Sequence, residues 1–441
     1  MSAIDSIAKN EDLKKRIIFT LIILAVYRIG CHVPTPGVNG NAVAEFFKAQ
    51  SGSIFGVFNL FSGGALERFS IFALGIMPYI SSSIIFQLLT AVVPYLESLQ
   101  KEGEQGRKKI NQYTRYGTVV LAIIQGYGIS TWLKGSTAPT GDSLVLTPFV
   151  GVIPFEVMTI ITLTAGTCFI MWLGEQITER GIGNGASLII FTGIATDIPP
   201  AVLNSFQLIK NKEMSVFVAL AILVLMIGVV GLIIFLEVGQ RRIPIESSQR
   251  GGGKQPMGGK RSHLPLKLNF SGVIPPIFAS SLLMFPATVA QFVNQPWLKD
   301  MQASLTPTGS IYNILFVGLI VFFSFFYVQI VFRPNDVADN LKKYGAFIPG
   351  IRAGKPTADY IQRVLDRITV GGAIYLSIVC VLPTMLIAQA KVPFYFGGTS
   401  LIILVGVALD TSQQIQSYLI SQKYDSFMRG AKIKGRRVQT W

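Results

Sequence analysis

Few residues in this chain combine the type and the spacing that chemistry requires. Its two histidines, His32 at the edge of the first apolar run and His263, both read as loop residues, which denies an intramembrane serine protease its usual base. The three cysteines, Cys31, Cys168 and Cys380, are dispersed through or beside those runs at no metal-ligand spacing, so neither a zinc site nor a disulfide framework is indicated. The glycine-rich stretch from Gly251 to Arg261 invites a nucleotide-binding test. A P-loop needs a glycine five positions before its Gly-Lys pair and a hydroxyl after it, so that backbone N–H groups cradle phosphate. Around Gly259-Lys260 those positions hold Lys254 and Arg261, and the stretch reads as a flexible basic loop. Ion-coupled transport would need charged relay groups within the membrane. The candidates are Glu156, Asp410 and Arg28, and anchoring suits them better than relay chemistry. An ion at the bilayer centre costs roughly 2.5 to 3.5 kcal/mol on insertion scales, so Arg28 requires a partner or snorkels to the interface. Neither catalysis nor a bound cofactor is indicated.

The elements around these residues are ten apolar runs, near 17–33, 69–94, 116–133, 149–173, 182–203, 214–236, 268–293, 311–332, 368–388 and 393–413. About 20 helical residues cross a hydrocarbon core of roughly 30 Å, and most of the runs reach that length. With 50% hydrophobic and 14% charged residues, against a usual charged share of about 25%, an ordinary soluble globule is excluded. The expected fold is an all-α polytopic membrane protein. Of the 38 Lys and Arg, 30 lie in the two terminal tails and in alternate gaps between runs, so the positive-inside rule puts both termini in the cytoplasm. The net charge of +15 thereby sits where anionic inner-leaflet lipid and cytoplasmic partners meet it. Lys14, Lys15 and Arg16 before an apolar stretch ending at Gly30-Cys31 resemble a removable signal, but Arg28 and the nine later runs predict an uncleaved first helix.

Five runs precede the gap at 204–213 and five follow it, so the second half enters the membrane in the opposite sense, as in inverted repeats. The expected division is a half at 1–203, a hinge at 204–213, a half at 214–413 and a cytoplasmic tail at 414–441. The second run of each half is interrupted, by Gly75 and Pro78 and by Gly272, Pro275, Pro276 and Pro286. Such matched breaks point to a pathway between the halves. In the first outer gap, the short apolar stretch from Ile54 to Phe61, followed by Ser62-Gly63-Gly64, reads as a re-entrant helix or a surface loop. Two long basic gaps, 237–267 and 333–367, are the candidate docking surfaces. A protein-conducting channel and an inverted-repeat secondary solute transporter are both consistent with this pattern.

Six segments carry a resemblance to a known family. They are NLFSGGALERFSIFALGIMPYISSSIIFQLLT at 59–90, KEGEQGRKKINQYTRYGT at 101–118, MWLGEQITERGIGNGASLIIF at 171–191, HLPLKLNFSGVIPPIFASS at 263–281, ADNLKKYGAFIPGIRAG at 338–354 and KVPFYFGGTSLIILV at 391–405. In this order among ten runs, they resemble the SecY family, the pore subunits of Sec protein translocases, over nearly the whole chain. The resemblance implies a clamshell of two five-helix halves in the bacterial cytoplasmic membrane. Unfolded polypeptide passes through its pore, and signal or membrane segments leave sideways into lipid. It also implies partners: the small subunits SecE and SecG, the motor ATPase SecA, the ribosome, signal peptides, nascent chains and lipid.

By the same motifs the pore ring falls on Ile76, Ile80, Ile190, Ile277 and Ile403, while Ala186 stands where family members often have a further isoleucine. The plug falls at about 53–68, including Phe58, Asn59, Phe61, Ser62, Gly63 and Gly64. The lateral gate is implied between the second and seventh runs, with Ser81 and Gln87 facing Ser281 and Phe285. Motor and ribosome docking fall on Arg250, Lys254, Lys260, Arg261, Arg352 and Tyr424. The chain departs from the family at Ser247-Ser248-Gln249-Arg250, where Tyr-Ala-Lys-Arg is usual.

Overall fold

The computed structural model describes residues 10–49, 54–139, 141–146, 149–212, 215–247, 262–292, 309–390 and 398–430. Helix is present in every one of the ten apolar runs. In the first half these are α1 (Glu11–Gly30), α4 (Met77–Val92), α6 (Glu104–Gly135), α7 (Phe155–Arg180) and the pair α8 (Gly185–Ala195) and α9 (Ile198–Lys210), with α2 (Gly40–Ala49), α3 (Ile54–Ser62) and α5 (Pro94–Lys101) between them. The second half carries α10 (Val216–Val238), α11 (Ile274–Phe292), α12 (Ser310–Val331), α13 (Pro334–Lys343), α14 (Lys355–Ala390) and α15 (Gly398–Gly430). By length and composition, α7, the α8–α9 pair, α10, α12 with α13, and α14 each suffice to cross a membrane.

The solvent of the fold is legible on α10. Phe217, Ile227 and Phe235 are 84%, 65% and 75% exposed there. A helix that is apolar on all sides and mostly unburied is stable only where its surroundings are apolar too.

Glycine and proline set the helix ends in the interrupted runs. The second run is not one helix: residues 69–76 form turns, with Gly75 at φ +57°, and α4 begins at Met77 with Pro78 in its first turn. Proline suits that position because its missing N–H would have no helical partner. At Val93 the chain then bends by 97° into α5, whose first residue is Pro94. The fifth run is also broken, at Thr196-Asp197, because Pro199 and Pro200 can start α9 but cannot continue α8. α9 runs through most of the 204–213 connector and ends at a turn where Lys212 has φ +61°. Likewise α15 continues well into the segment expected as a tail.

The two long basic gaps are joined by a sheet. Strand β1 (Gln240–Ser247) pairs antiparallel with β2 (Ser262–Lys267), and its far end pairs with β3 (Ala346–Phe347) through Glu246 opposite Phe347. Ile243 and Leu266 from these strands, and Ile348 just after the third, are buried with Ile361 and Leu365 of α14 and Val328 of α12. At 36 residues, α14 is about 54 Å long at 1.5 Å per residue. That exceeds the bilayer core, so its first turns carry the sheet rather than cross lipid.

Candidate functional site

The largest core cluster holds all five isoleucines that the sequence singles out. Ile76 and Ile80 come from the start of α4, Ile190 from α8, Ile277 from α11 and Ile403 from α15, and each is between 0% and 7% exposed. Ile76 precedes the helix, yet its carbonyl accepts the Ile80 N–H at 3.1 Å, which stacks the two side chains on one face. Phe61 of α3 is buried in the same cluster and Phe58 packs against it. Ala186 is half-buried at its edge. Such a cluster strips an ion of water and offers no hydrogen bond in return, so it seals against ions while remaining deformable.

Polar space borders this cluster. A cavity of about 250 Å³ is lined by Ile76, Tyr79, Asn111, Arg115, Glu175 and Asn184 among others, and Arg115 pairs with Glu175 at 2.6 Å. A second cavity of about 480 Å³ lies between Asn184 and Ser187 on one side and Asp410, Gln413 and Gln414 on the other. Asn184 separates them: its side chain accepts from the Ser187 N–H and caps α8, satisfying one of the free donors there.

Helix α3 packs on α8. Its C-terminal turn is fixed by Asn59, whose Oδ1 accepts the Glu67 N–H at 2.9 Å, and by the Ser62 hydroxyl, which donates to the Asn59 carbonyl at 2.9 Å. Gly63 has φ +66°, and a Cβ there would stand 2.7 Å from the Cα of Gly193 on α8, so the turn is pressed against that helix. Tyr27 donates its hydroxyl to the Ser62 carbonyl at 3.2 Å, and Arg28 donates from Nη1 to the Gly63 carbonyl at 2.6 Å. Of the two outcomes expected for Arg28, a partner or snorkelling, the structure shows a protein partner. Tyr27 was missed, since nothing in a helical apolar run marks one tyrosine as reaching 35 residues ahead.

Helix α4 packs along α11, bringing together the elements that carry Ser81, Gln87, Ser281 and Phe285. Ser81 is half-buried. Gln87 turns back along its own helix to donate to the Ser83 hydroxyl at 3.1 Å. Ser281 is buried, and its hydroxyl has no hydrogen-bond partner among the described residues. An orphaned hydroxyl costs about 1 to 3 kcal/mol. Ser281→Ala is accordingly expected to raise the melting temperature of the purified chain, and a variant melting below the parent would contradict an unpaired group at that position. The side chain of Phe285 lies outside the described residues.

Arg352 is displayed on a defined turn. Ile348-Pro349-Gly350-Ile351 closes with the Ile351 N–H on the Ile348 carbonyl at 3.0 Å and Gly350 at φ +78°, the geometry that favours proline second and glycine third. The Arg352 side chain is exposed beside the three-stranded sheet, and its carbonyl accepts the Thr357 hydroxyl at 2.9 Å. Arg250, Lys254, Lys260 and Arg261, and the side chain of Tyr424, lie outside the described residues. The remaining intramembrane candidates have basic partners: Lys134 reaches Glu156 at 2.6 Å and Lys267 reaches Asp410 at 3.9 Å. Also unforeseen is a buried pair in which Asn269 donates to Glu237 at 2.8 Å.

A family model described as SecY matches residues 70–412, more than half of the chain. The chain belongs to the SecY family. It is 48% identical over 429 residues to the protein translocase subunit SecY of Pseudomonas aeruginosa, covering 96% of this chain and 95% of that protein. A solved structure concerning the plug domain of the SecY protein, described as stabilizing the closed state of the translocation channel, superposes with TM-score 0.66. It is 18% identical and covers 97% of this chain and 96% of that one. Sec61 in the canine ribosome-channel complex from the endoplasmic reticulum gives TM-score 0.65 at 17% identity, again over 97% and 96%. At such low identity the shared feature is the SecY-type fold itself. This chain is thus a multi-pass membrane protein, and the solute-transporter reading is not favoured.

Proposed function

We propose that this chain is the protein-conducting pore of a Sec-type translocase in a bacterial cytoplasmic membrane. In this reading it passes unfolded secretory polypeptides outward and releases apolar segments sideways into lipid. The observation that carries the reading is the single buried cluster of Ile76, Ile80, Ile190, Ile277 and Ile403, drawn from four helices and capped by Phe61. All ten runs cross the membrane, both termini face the cytoplasm, and residues 1–203 and 214–413 are the two halves about the 204–213 connector. Residues 53–68 act as the plug. The packed seam of α4 and α11, carrying Ser81, Gln87, Ser281 and Phe285, is the lateral gate.

The sheet that joins the two basic gaps supports a rigid docking platform for SecA and the ribosome, and SecE and SecG complete the channel. Arg352, and the loop and tail residues Arg250, Lys254, Lys260, Arg261 and Tyr424, form its contact set. Proteoliposomes holding the assembled translocase test the function. With SecA and ATP they are expected to shelter a signal-bearing chain from protease. Accumulation of a small solute down an ion gradient, with no sheltered polypeptide, would retire the channel reading.

Arg352→Glu is expected to lower SecA-driven export about tenfold or more, because a guanidinium in a charge-assisted pair is replaced by a repelling group. The resting vesicles should stay tight to ions, since the exposed turn is remote from the apolar cluster. Export at the parental rate would remove Arg352 from the contact set.

A further inference from the structure

We infer that Tyr27 and Arg28 form a clamp that holds α3 in the closed pore, with Arg28 as the positioning residue that sets how readily the plug leaves. The inference rests on the plug reading above and goes beyond it. Plug motion requires something to hold the helix in place and something to let it go, and the side-chain contacts locate both at the C-terminal end of α3.

The last carbonyls of a helix lack intrahelical N–H partners, and they carry the negative end of the helix dipole. At α3 those carbonyls are met from α1. The Arg28 guanidinium donates to Gly63 at 2.6 Å and the Tyr27 hydroxyl donates to Ser62 at 3.2 Å. Adjacent residues on α1 thus grip adjacent carbonyls of the plug. Tyr27 is fully buried and its ring stacks on Phe72 at 5.9 Å, which fixes where its hydroxyl points. The other jaw is Gly193 of α8, against which Gly63 rests without a Cβ. Asp197, just beyond α8, is within electrostatic reach of Arg28 and of Arg68 and Glu67 at the far end of the plug segment.

This arrangement also accounts for a charge inside an apolar run. Arg28 offsets its own cost of burial while the carbonyl is present, and loses that partner whenever α3 moves away. The same contact therefore favours the closed state and leaves the open state with a cation at the pore mouth. The clamp is neutral to the passing sequence, because it binds backbone of the chain itself.

The test uses the full chain in its assembled translocase, reading resting ion leak in proteoliposomes and, in cells, export of a reporter with a defective signal. Arg28→Met is expected to raise both by about tenfold, the weight of one charge-assisted hydrogen bond, with the amount of protein in the membrane unchanged. Arg28→Lys, which keeps the cation without the planar fork, should fall between Met and the parent. Tyr27→Phe, which keeps the stacked ring, should raise leak severalfold, and it decides the matter if Arg28→Met does not accumulate. Ile80→Asn serves as the reference for an opened seal. If Ile80→Asn leaks while Arg28→Met, or failing that Tyr27→Phe, stays tight and rejects the defective signal, the clamp is overturned and the pore reading stands. If none of them leaks, the pore reading itself falls. A rise in leak that Arg28→Lys does not reduce would assign Arg28 a packing role and overturn the clamp as well.

Discussion

Ile403→Asn is expected to give a channel that leaks ions at rest and accepts chains with weakened signals. Ile403 is fully buried in the central cluster among the other four isoleucines and Phe61. An amide in that place has no partner when the cluster is dry, a penalty of about 1 to 3 kcal/mol on mutational scales. Hydration of the open pore relieves it. That difference shifts a closed-to-open ratio roughly tenfold to a hundredfold toward open. Conductance of vesicles without substrate, beside export of a defective-signal reporter, measures it. A tight, fully selective Ile403→Asn channel would withdraw Ile403 from the seal.

Joining α4 to α11 is expected to stop export almost completely. Cysteines replacing Ser81 and Phe285, in a chain freed of Cys31, Cys168 and Cys380, would be bridged by a short bifunctional maleimide. The two helices pack on each other, and a signal helix of about 10 Å diameter cannot enter between them without parting them. The orphaned Ser281 hydroxyl lies on this seam, so the closed contact is held by packing more than by hydrogen bonds. Single-cysteine controls treated with the same reagent should export normally. Efficient bridging with undiminished export would place the exit path elsewhere.

The sequence made the helices legible because a span of lipid demands an unbroken apolar run, and each of the ten runs contains helix. Where proline and glycine intervene the reading was coarser. Pro199 and Pro200 mark the break between α8 and α9, but hydrophobicity does not fall there, so by composition the run is continuous. Residues 69–76 belong to the second run by composition, yet they form turns before α4. Hydropathy cannot distinguish these cases, since apolar turns buried by neighbours and apolar helices have the same average. The sheet was invisible for a different reason: Glu246 and Phe347 are paired across about a hundred residues of chain, and two residues of β3 carry no period to detect. Arg28 was marked by cost alone. Its target, a backbone carbonyl at Gly63, has no sequence signature, because every residue offers one.

Translocating polypeptide is expected to pass through the isoleucine cluster. Site-specific photocrosslinking from this chain to a signal-bearing substrate stalled midway tests it most directly. A photoreactive residue replacing Ile277 or Ile403 is predicted to capture the stalled chain, while one replacing Phe217, exposed on the outer surface of α10, is predicted to capture only lipid. Capture from Phe217 with none from Ile277 or Ile403 would contradict the account.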